Sequence, residues 1–291
     1  SIGNFLVCTL AAYSIMEQNF FLFSFANFFL GVGMSFTHQY RFAAAESVEK
    51  NKIPKAISII LLGGIVSAFI GPGIANYSKD IVSEHLYVGS YLSLGILTLV
   101  PAIFFLFYEN ISKLETNIKY SGRSRLELIS QPRFLQALVA SAFGYAIMTF
   151  LMTATPLSMH VMEKMSLSKT GLVIQFHVVA MFLPSLITGI LIKKFGHSNI
   201  MYAGVFLYSI TIVASFFDQT FYNYMFALIF LGLGWNFLFI SGTSLLVLTY
   251  KEEEKFRAQG LNDFIVYSVH AIGSLSAGVL IALTNWKMMN I

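Results

Sequence analysis

Residues 170–199 read TGLVIQFHVVAMFLPSLITGILIKKFGHSN. From Thr170 to Ile192 there is no Asp, Glu, Lys or Arg, and then Lys193, Lys194 and Gly196 follow at once. A helix needs roughly 20 apolar residues to cross the hydrocarbon core of a bilayer. The stretch therefore reads as a membrane span ending in a short basic turn.

Working outward, the same pattern recurs. Spans are expected at about 2–16, 19–40, 55–76, 87–108, 133–156, 170–192, 199–217, 220–248 and 259–285. The chain of 291 residues is 56% apolar and 11% charged, against about 25% charged in soluble domains. A soluble exterior does not need that much apolar surface, and disorder has the opposite composition. One cysteine, Cys8, excludes a disulfide scaffold. Runs such as Tyr91–Phe107 and Tyr224–Leu233 do not alternate, so helices are expected and not barrel strands.

The basic residues divide by loop. Fourteen fall in one alternate set, from Arg41 and Lys50 to Lys255 and Arg257, and Lys79, Lys164, Lys169 and Lys287 make up the other. By the positive-inside rule the rich set is cytoplasmic. The net charge of +4 then records topology, and no nucleic-acid partner is implied. The one long polar segment, 109–132, is the best boundary within the chain. The chain starts at Ser1 and stops soon after Trp286 and Lys287, so the expectation is a piece of a longer membrane protein.

Gly189-Ile190-Leu191-Ile192-Lys193-Lys194-Phe195-Gly196 sets one glycine for close helix approach and a second for a turn of positive φ. It resembles the inter-helix signature of the major facilitator superfamily, in the form found between helices eight and nine. The family pattern has an acid where Lys193 stands and further bases where His197 and Ser198 stand. Counted from this anchor, the nine spans become helices three to eleven. The resemblance implies an all-α polytopic membrane protein of two pseudo-repeated helical bundles, incomplete at both ends. It divides into 1–108, the remainder of an N-terminal bundle; 109–132, the cytoplasmic inter-bundle loop; and 133–291, the C-terminal bundle with the start of helix twelve.

Gly63-Gly64-x-x-Ser67-x-x-x-Gly71-Pro72-Gly73 resembles the helix-five motif of the drug:proton antiporter branch, a backbone that packs tightly and can bend at Pro72. That branch has an Arg where Asn27 stands. Lys55-Ala56 before Gly71-Pro72 parallels Arg257-Ala258 before Gly273-Ser274, as parallel repeats would. Tyr40–Glu46, Ile174–Phe182 and Gly232–Phe237 are similar to runs in bacterial permeases of the superfamily.

Polar side chains are costly in hydrocarbon and tend to face a pathway or a partner. At helical spacing, Asn27, Gly31, Ser35 and His38 share a face, as do Ser141, Tyr145, Thr149 and Thr153, and Asp263, Tyr267, His270 and Ser274. Gln175, His177, Trp235 and Asn236 add to these. The candidate pathway residues are Asn27, Ser35, His38, Tyr145, Thr149, Gln175, His177, Trp235, Asn236, Tyr267 and His270. Against this, Ser141 and Ser274 are expected to bond their own helix backbone, and Tyr145 and Tyr267 have simple packing as the competing role. Arg41 and Glu46, with Arg257 and Asp263, are candidate inner-gate ion pairs.

No acid stands mid-span, so a coupling proton would rest on His177, His270 or an acid outside this sequence. There is no metal signature, paired-carboxylate constellation or phosphate loop. No enzyme, metal or cofactor is therefore expected. The expected partners are a lipid bilayer and a small-molecule substrate. The function expected is secondary or facilitative transport of a small organic solute by alternating access, in a bacterial inner (plasma) membrane. Modest polarity and many aromatics suit an uncharged or weakly polar solute. The alternatives are drug/proton efflux, and a membrane receptor or assembly protein that does not transport.

Overall fold

In hydrocarbon every backbone N–H and C=O must be satisfied within the chain. The computed structural model, which describes residues 1–105 and 122–290, meets this with helices: no strand occurs among the described residues. They are α1 (Ile2–Met16), α2 (Phe20–His38), α3 (Tyr40–Glu46), α4 (Ile53–Ser78), α5 (Val88–Phe105), α6 (Arg125–Ile129), α7 (Pro132–Pro156), α8 (Leu167–Phe182), α9 (Ser185–Phe195), α10 (His197–Ser215), α11 (Phe221–Val247), α12 (Lys255–Leu283) and α13 (Trp286–Met289). All nine expected spans carry a helix. Seven helical stretches are long and apolar enough to cross a membrane, and α1 and Val88–Ile103 are shorter apolar helices.

The span at 170–192 is not one helix. It breaks at Leu183-Pro184 into α8 and α9, because proline has no N–H to donate to the preceding turn and its ring crowds the residue four back. Helix starts are set by side chains that accept the first free N–H groups. Asn19 caps α2, Ser166 caps α8 and Thr220 caps α11.

The described residues fall in two compact units, one within Ser1–Tyr40 and Val66–Asn117, the other within Arg41–Ile65 and Ile118–Ile291. In the first unit α1 packs against α2 and α5. Tyr91 Oη on α5 donates to Asn27 Oδ1 on α2 at 3.1 Å, and the Tyr91 ring stands edge-on to Phe23.

In the second unit α11 is central. It packs on α7, α8 and α10, while α12 packs on α7. Its interior side chains, among them Leu228, Leu231, Trp235 and Phe239, are fully buried with Phe134, Met159 and Val173. Large apolar side chains such as Phe206, Phe264 and Leu275 are exposed on the outside. That is the reverse of a soluble surface and suits contact with lipid tails.

Candidate functional site

The polar and aromatic residues of α7, α11 and α12 converge on Tyr145. Its ring stands edge-on to Trp235, Phe239, Tyr267 and His270, with centroids 5.3, 5.1, 5.8 and 5.0 Å away. Such edge-to-face pairs set the positive rim of one ring against the negative face of another. Trp235 stacks on Phe239 with 15° between the planes, at 4.9 Å, and Phe182 of α8 stands edge-on to Trp235 at 5.6 Å. Trp235 Nε1 is buried with no hydrogen-bond partner among the described residues. His270 Nδ1 lies 2.9 Å from Thr149 Oγ1. Tyr145, Tyr267 and His270 are half-buried, whereas Trp235 is enclosed.

Below this cluster, Arg41 of α3 is inserted with 2% of its surface exposed. Its Nη2 donates to Asp263 Oδ1 and its Nη1 to Tyr267 Oη, the latter at 3.1 Å. The guanidinium lies over the Phe42 and Phe239 rings, 4.6 and 4.9 Å from their centroids. A cation held between aromatic faces gains from their quadrupoles, and the planar group matches a carboxylate. Asn262 Nδ2 also donates to Asp263. Thus Tyr267 bonds the ion pair while its ring touches the aromatic cluster.

Nearer the helix ends, Glu46 accepts from Gln259 Nε2 at 2.6 Å and pairs with Lys255 Nζ at 3.5 Å. Among the described residues Arg257 pairs with neither Glu46 nor Asp263; its Nη1 donates to the carbonyls of Gly122 and Arg123.

Other candidates have different surroundings. Asn27 donates to the Phe23 carbonyl and accepts from Tyr91, so its amide ties two helices. His177 is 0% exposed, with Nδ1 2.7 Å from the Leu228 carbonyl, in the α8–α11 seam. Asn236 donates to the Met181 carbonyl and to Ser185, and accepts from Thr188. These bonds splint α8 and α9 across the break at Pro184. Gln175 is half-buried on α8. Ser35 is exposed and bonds the Val32 carbonyl, and His38 is half-buried at the end of α2. Ser141 Oγ, expected on its own helix backbone, has no hydrogen-bond partner among the described residues.

In the glycine motifs, a Cβ on Gly189 would stand 2.9 Å from Lys55 Cα and 3.0 Å from the Pro54 carbonyl carbon, so α9 touches the start of α4 backbone to backbone. Gly196 turns the chain at φ +84°, directly into α10. Lys193 and Lys194 beside it are exposed. In the other motif the close approach is at Gly64, where a Cβ would meet the Phe182 ring at 2.5 Å. Among the described residues nothing lies within 4 Å of a Cβ at Gly71, and α4 continues past Pro72.

Sequence reading did not single out Phe42, Phe182 or Phe239. Phe239 follows Trp235 by one turn, a spacing that puts both on one face. For Phe182 no local signal exists, since its neighbour is set by packing.

A family model described as Major Facilitator Superfamily matches residues 1–274. The chain is 35% identical to "Riboflavin transporter RfnT" of Brucella anthropi over 283 residues, covering 97% of this chain and 71% of that protein. It is 26% identical to "Uncharacterized MFS-type transporter YddS" of Bacillus subtilis, covering 90% of this chain and 64% of that one. Among solved structures it is similar to the transporter FucP in the outward conformation, with a TM-score of 0.65 and 15% identity over 99% of this chain and 78% of that one. That likeness concerns the fold. With a family match over most of its length and a transporter relative at this identity, the chain belongs to the Major Facilitator Superfamily, as an integral membrane transporter of a small solute and not an enzyme.

Proposed function

We propose that the protein carries a small, flat, weakly polar heteroaromatic solute of the flavin class across a bacterial inner membrane by alternating access. The observation that carries this reading is the aromatic cluster around Tyr145, whose ring edges and faces suit a planar ring system. The name of the Brucella anthropi relative supports the solute class. Residues 1–108 are assigned to one bundle, 133–291 to the other, and 109–132 to the cytoplasmic loop between them. On that division Arg41 and Glu46 reach from one bundle to Asp263, Lys255 and Gln259 of the other, as an inner gate would. Growth of a riboflavin-auxotrophic bacterium on limiting riboflavin tests the solute: expression of the protein should restore growth, and no restoration at full expression rejects a flavin.

Glu46→Lys sets a like charge against Lys255. Uptake is expected to fall about tenfold or more, since like-charge contacts at an interface cost several kcal/mol, with the amount of protein in the membrane unchanged. Unaltered uptake would remove Glu46 from the gate.

A coupling proton is assigned to His270 and not His177, because His270 is half-buried in the cluster while His177 is sealed in a helix seam. Histidine is the side chain whose charge normally changes near neutrality. His270→Gln is therefore expected to flatten the pH profile of uptake. A profile identical to the parent's would reject the assignment. Drug/proton antiport is a second reading, favoured by the Gly71-Pro72-Gly73 motif; Asn27, tied to Tyr91, opposes it.

A further inference from the structure

The turn between α11 and α12 is gripped from two sides. On one side is the end of the polar segment, residues 122–129. Glu254 in the turn is 1% exposed. Its Oε1 accepts from Arg123 N at 2.9 Å and Nε at 2.7 Å, and its Oε2 from Arg123 Nη2 at 2.5 Å and Lys251 N at 2.9 Å. Four donors match the lone-pair sites of one carboxylate, and the two-pronged guanidinium fork is its strongest partner.

Arg123 Nη2 donates again to the Thr249 carbonyl at 3.1 Å, and Arg257 grips the Gly122 and Arg123 carbonyls. The bond to Glu254 holds the Arg123 guanidinium above its ordinary value. A Cβ on Gly122 would stand 2.5 Å from Glu254 Cγ, so glycine admits the close approach. Ser124 and Glu127 then form a capping box that starts α6, and Leu128 is fully buried in the core.

On the other side is Glu46. Lys255, next after Glu254, pairs with it, and Gln259 Nε2, one helical turn on, donates to Glu46 and to Tyr250 Oη, each at 2.6 Å. Among the described residues the Glu254 carboxylate does not touch Glu46. It holds the backbone from which Glu46's two partners project.

We infer that Arg123 and Glu254 are positioning residues for the gate: their fork fixes the α11–α12 turn so that Lys255 and Gln259 meet Glu46. The inference rests on the reading of the Glu46 contact as a gate. Weakening the fork, by replacing the carboxylate in Glu254→Gln or the two-pronged donor in Arg123→Lys, leaves polar groups of a buried turn without their partners, an expensive state that the turn relieves by moving to reach water. Lys255 and Gln259 move with it, the gate loses its closing contacts, and the solute site is untouched.

The test compares the parent with Glu254→Gln and the milder Arg123→Lys, which keeps the charge and loses the fork. Backbone hydrogen exchange is read over residues 42–52 and 249–259, together with riboflavin binding and transport velocity. In both variants exchange over 42–52 is expected to rise about threefold or more, and maximal velocity to fall about fivefold, with riboflavin affinity within about twofold of the parent, as for a shift between two conformations. If Glu254→Gln does not fold, Arg123→Lys decides by the same readings. Faster exchange confined to 249–259, with 42–52 and the velocity unchanged, would overturn the inference and leave the fork a local staple. A parent that neither binds nor moves riboflavin would count against the proposed solute, and the exchange over 42–52 would still decide the positioning role.

Discussion

Asp263→Asn is expected to abolish transport and to lower stability by about 3–5 kcal/mol, the usual consequence of removing one member of a buried ion pair. The reason is the surroundings of Arg41. Its side chain is 3% exposed and Asp263 is its ion-pair partner. Asparagine is nearly the same size and keeps one acceptor, so the change removes charge and leaves shape. Among the described residues the guanidinium would then be left with Tyr267 Oη, an amide oxygen and two aromatic faces. Replacing both partners by leucine removes the two desolvation costs together. Arg41→Leu/Asp263→Leu is therefore expected to recover most of the melting temperature lost in the single variant and still to fail in transport. Thermal unfolding in detergent reads the first part and uptake the second. A single variant with the parent's melting temperature would show that the pair is not buried as described. A double variant that transports would show that the pair is not part of the gate.

Tyr145→Ala is expected to weaken riboflavin binding by about tenfold or more, since each edge-to-face ring contact is worth about 0.5–1.5 kcal/mol beyond its area. Tyr145 is the hub of the cluster, because its ring contacts Trp235, Phe239, Tyr267 and His270. Alanine removes the ring and leaves those neighbours facing a void, which also costs stability, though less than the roughly 3–5 kcal/mol of a fully buried aromatic, since Tyr145 is half-buried. Tyr145→Phe separates the two effects. It keeps every ring contact and removes only the hydroxyl, so binding is expected within about threefold of the parent, or under 1 kcal/mol. Quenching of flavin fluorescence on titration with protein measures both. Equal affinity in the alanine and parent proteins would move the solute away from this cluster.

The spans were legible because a bilayer admits so few solutions. Charge-poor runs of about 20 residues between basic turns leave helices as the backbone's way to satisfy itself. The break at Pro184 was not read from the span 170–192, although the proline explains it. The partners of buried polar groups were not legible. Periodicity places Asn27 and Tyr145 on polar faces alike, but only packing sets Tyr91 against Asn27 and four aromatic rings against Tyr145. His177 and His270 both read as imidazoles in need of a partner. One finds a carbonyl across a sealed seam, the other a threonine at the edge of the cluster. Glu254 misleads most. In the run Glu252-Glu253-Glu254 it looks like a solvated turn, yet it is buried and held by Arg123, 131 residues away in sequence.

Exchange of labelled riboflavin in proteoliposomes tests the central claim most directly. Vesicles preloaded with unlabelled riboflavin and diluted into trace labelled riboflavin should accumulate label through the parent protein. They should fail to do so with Asp263→Asn and lose about tenfold in apparent affinity with Tyr145→Ala. Accumulation of label by the parent and both variants alike, or by none of the three, would contradict the account.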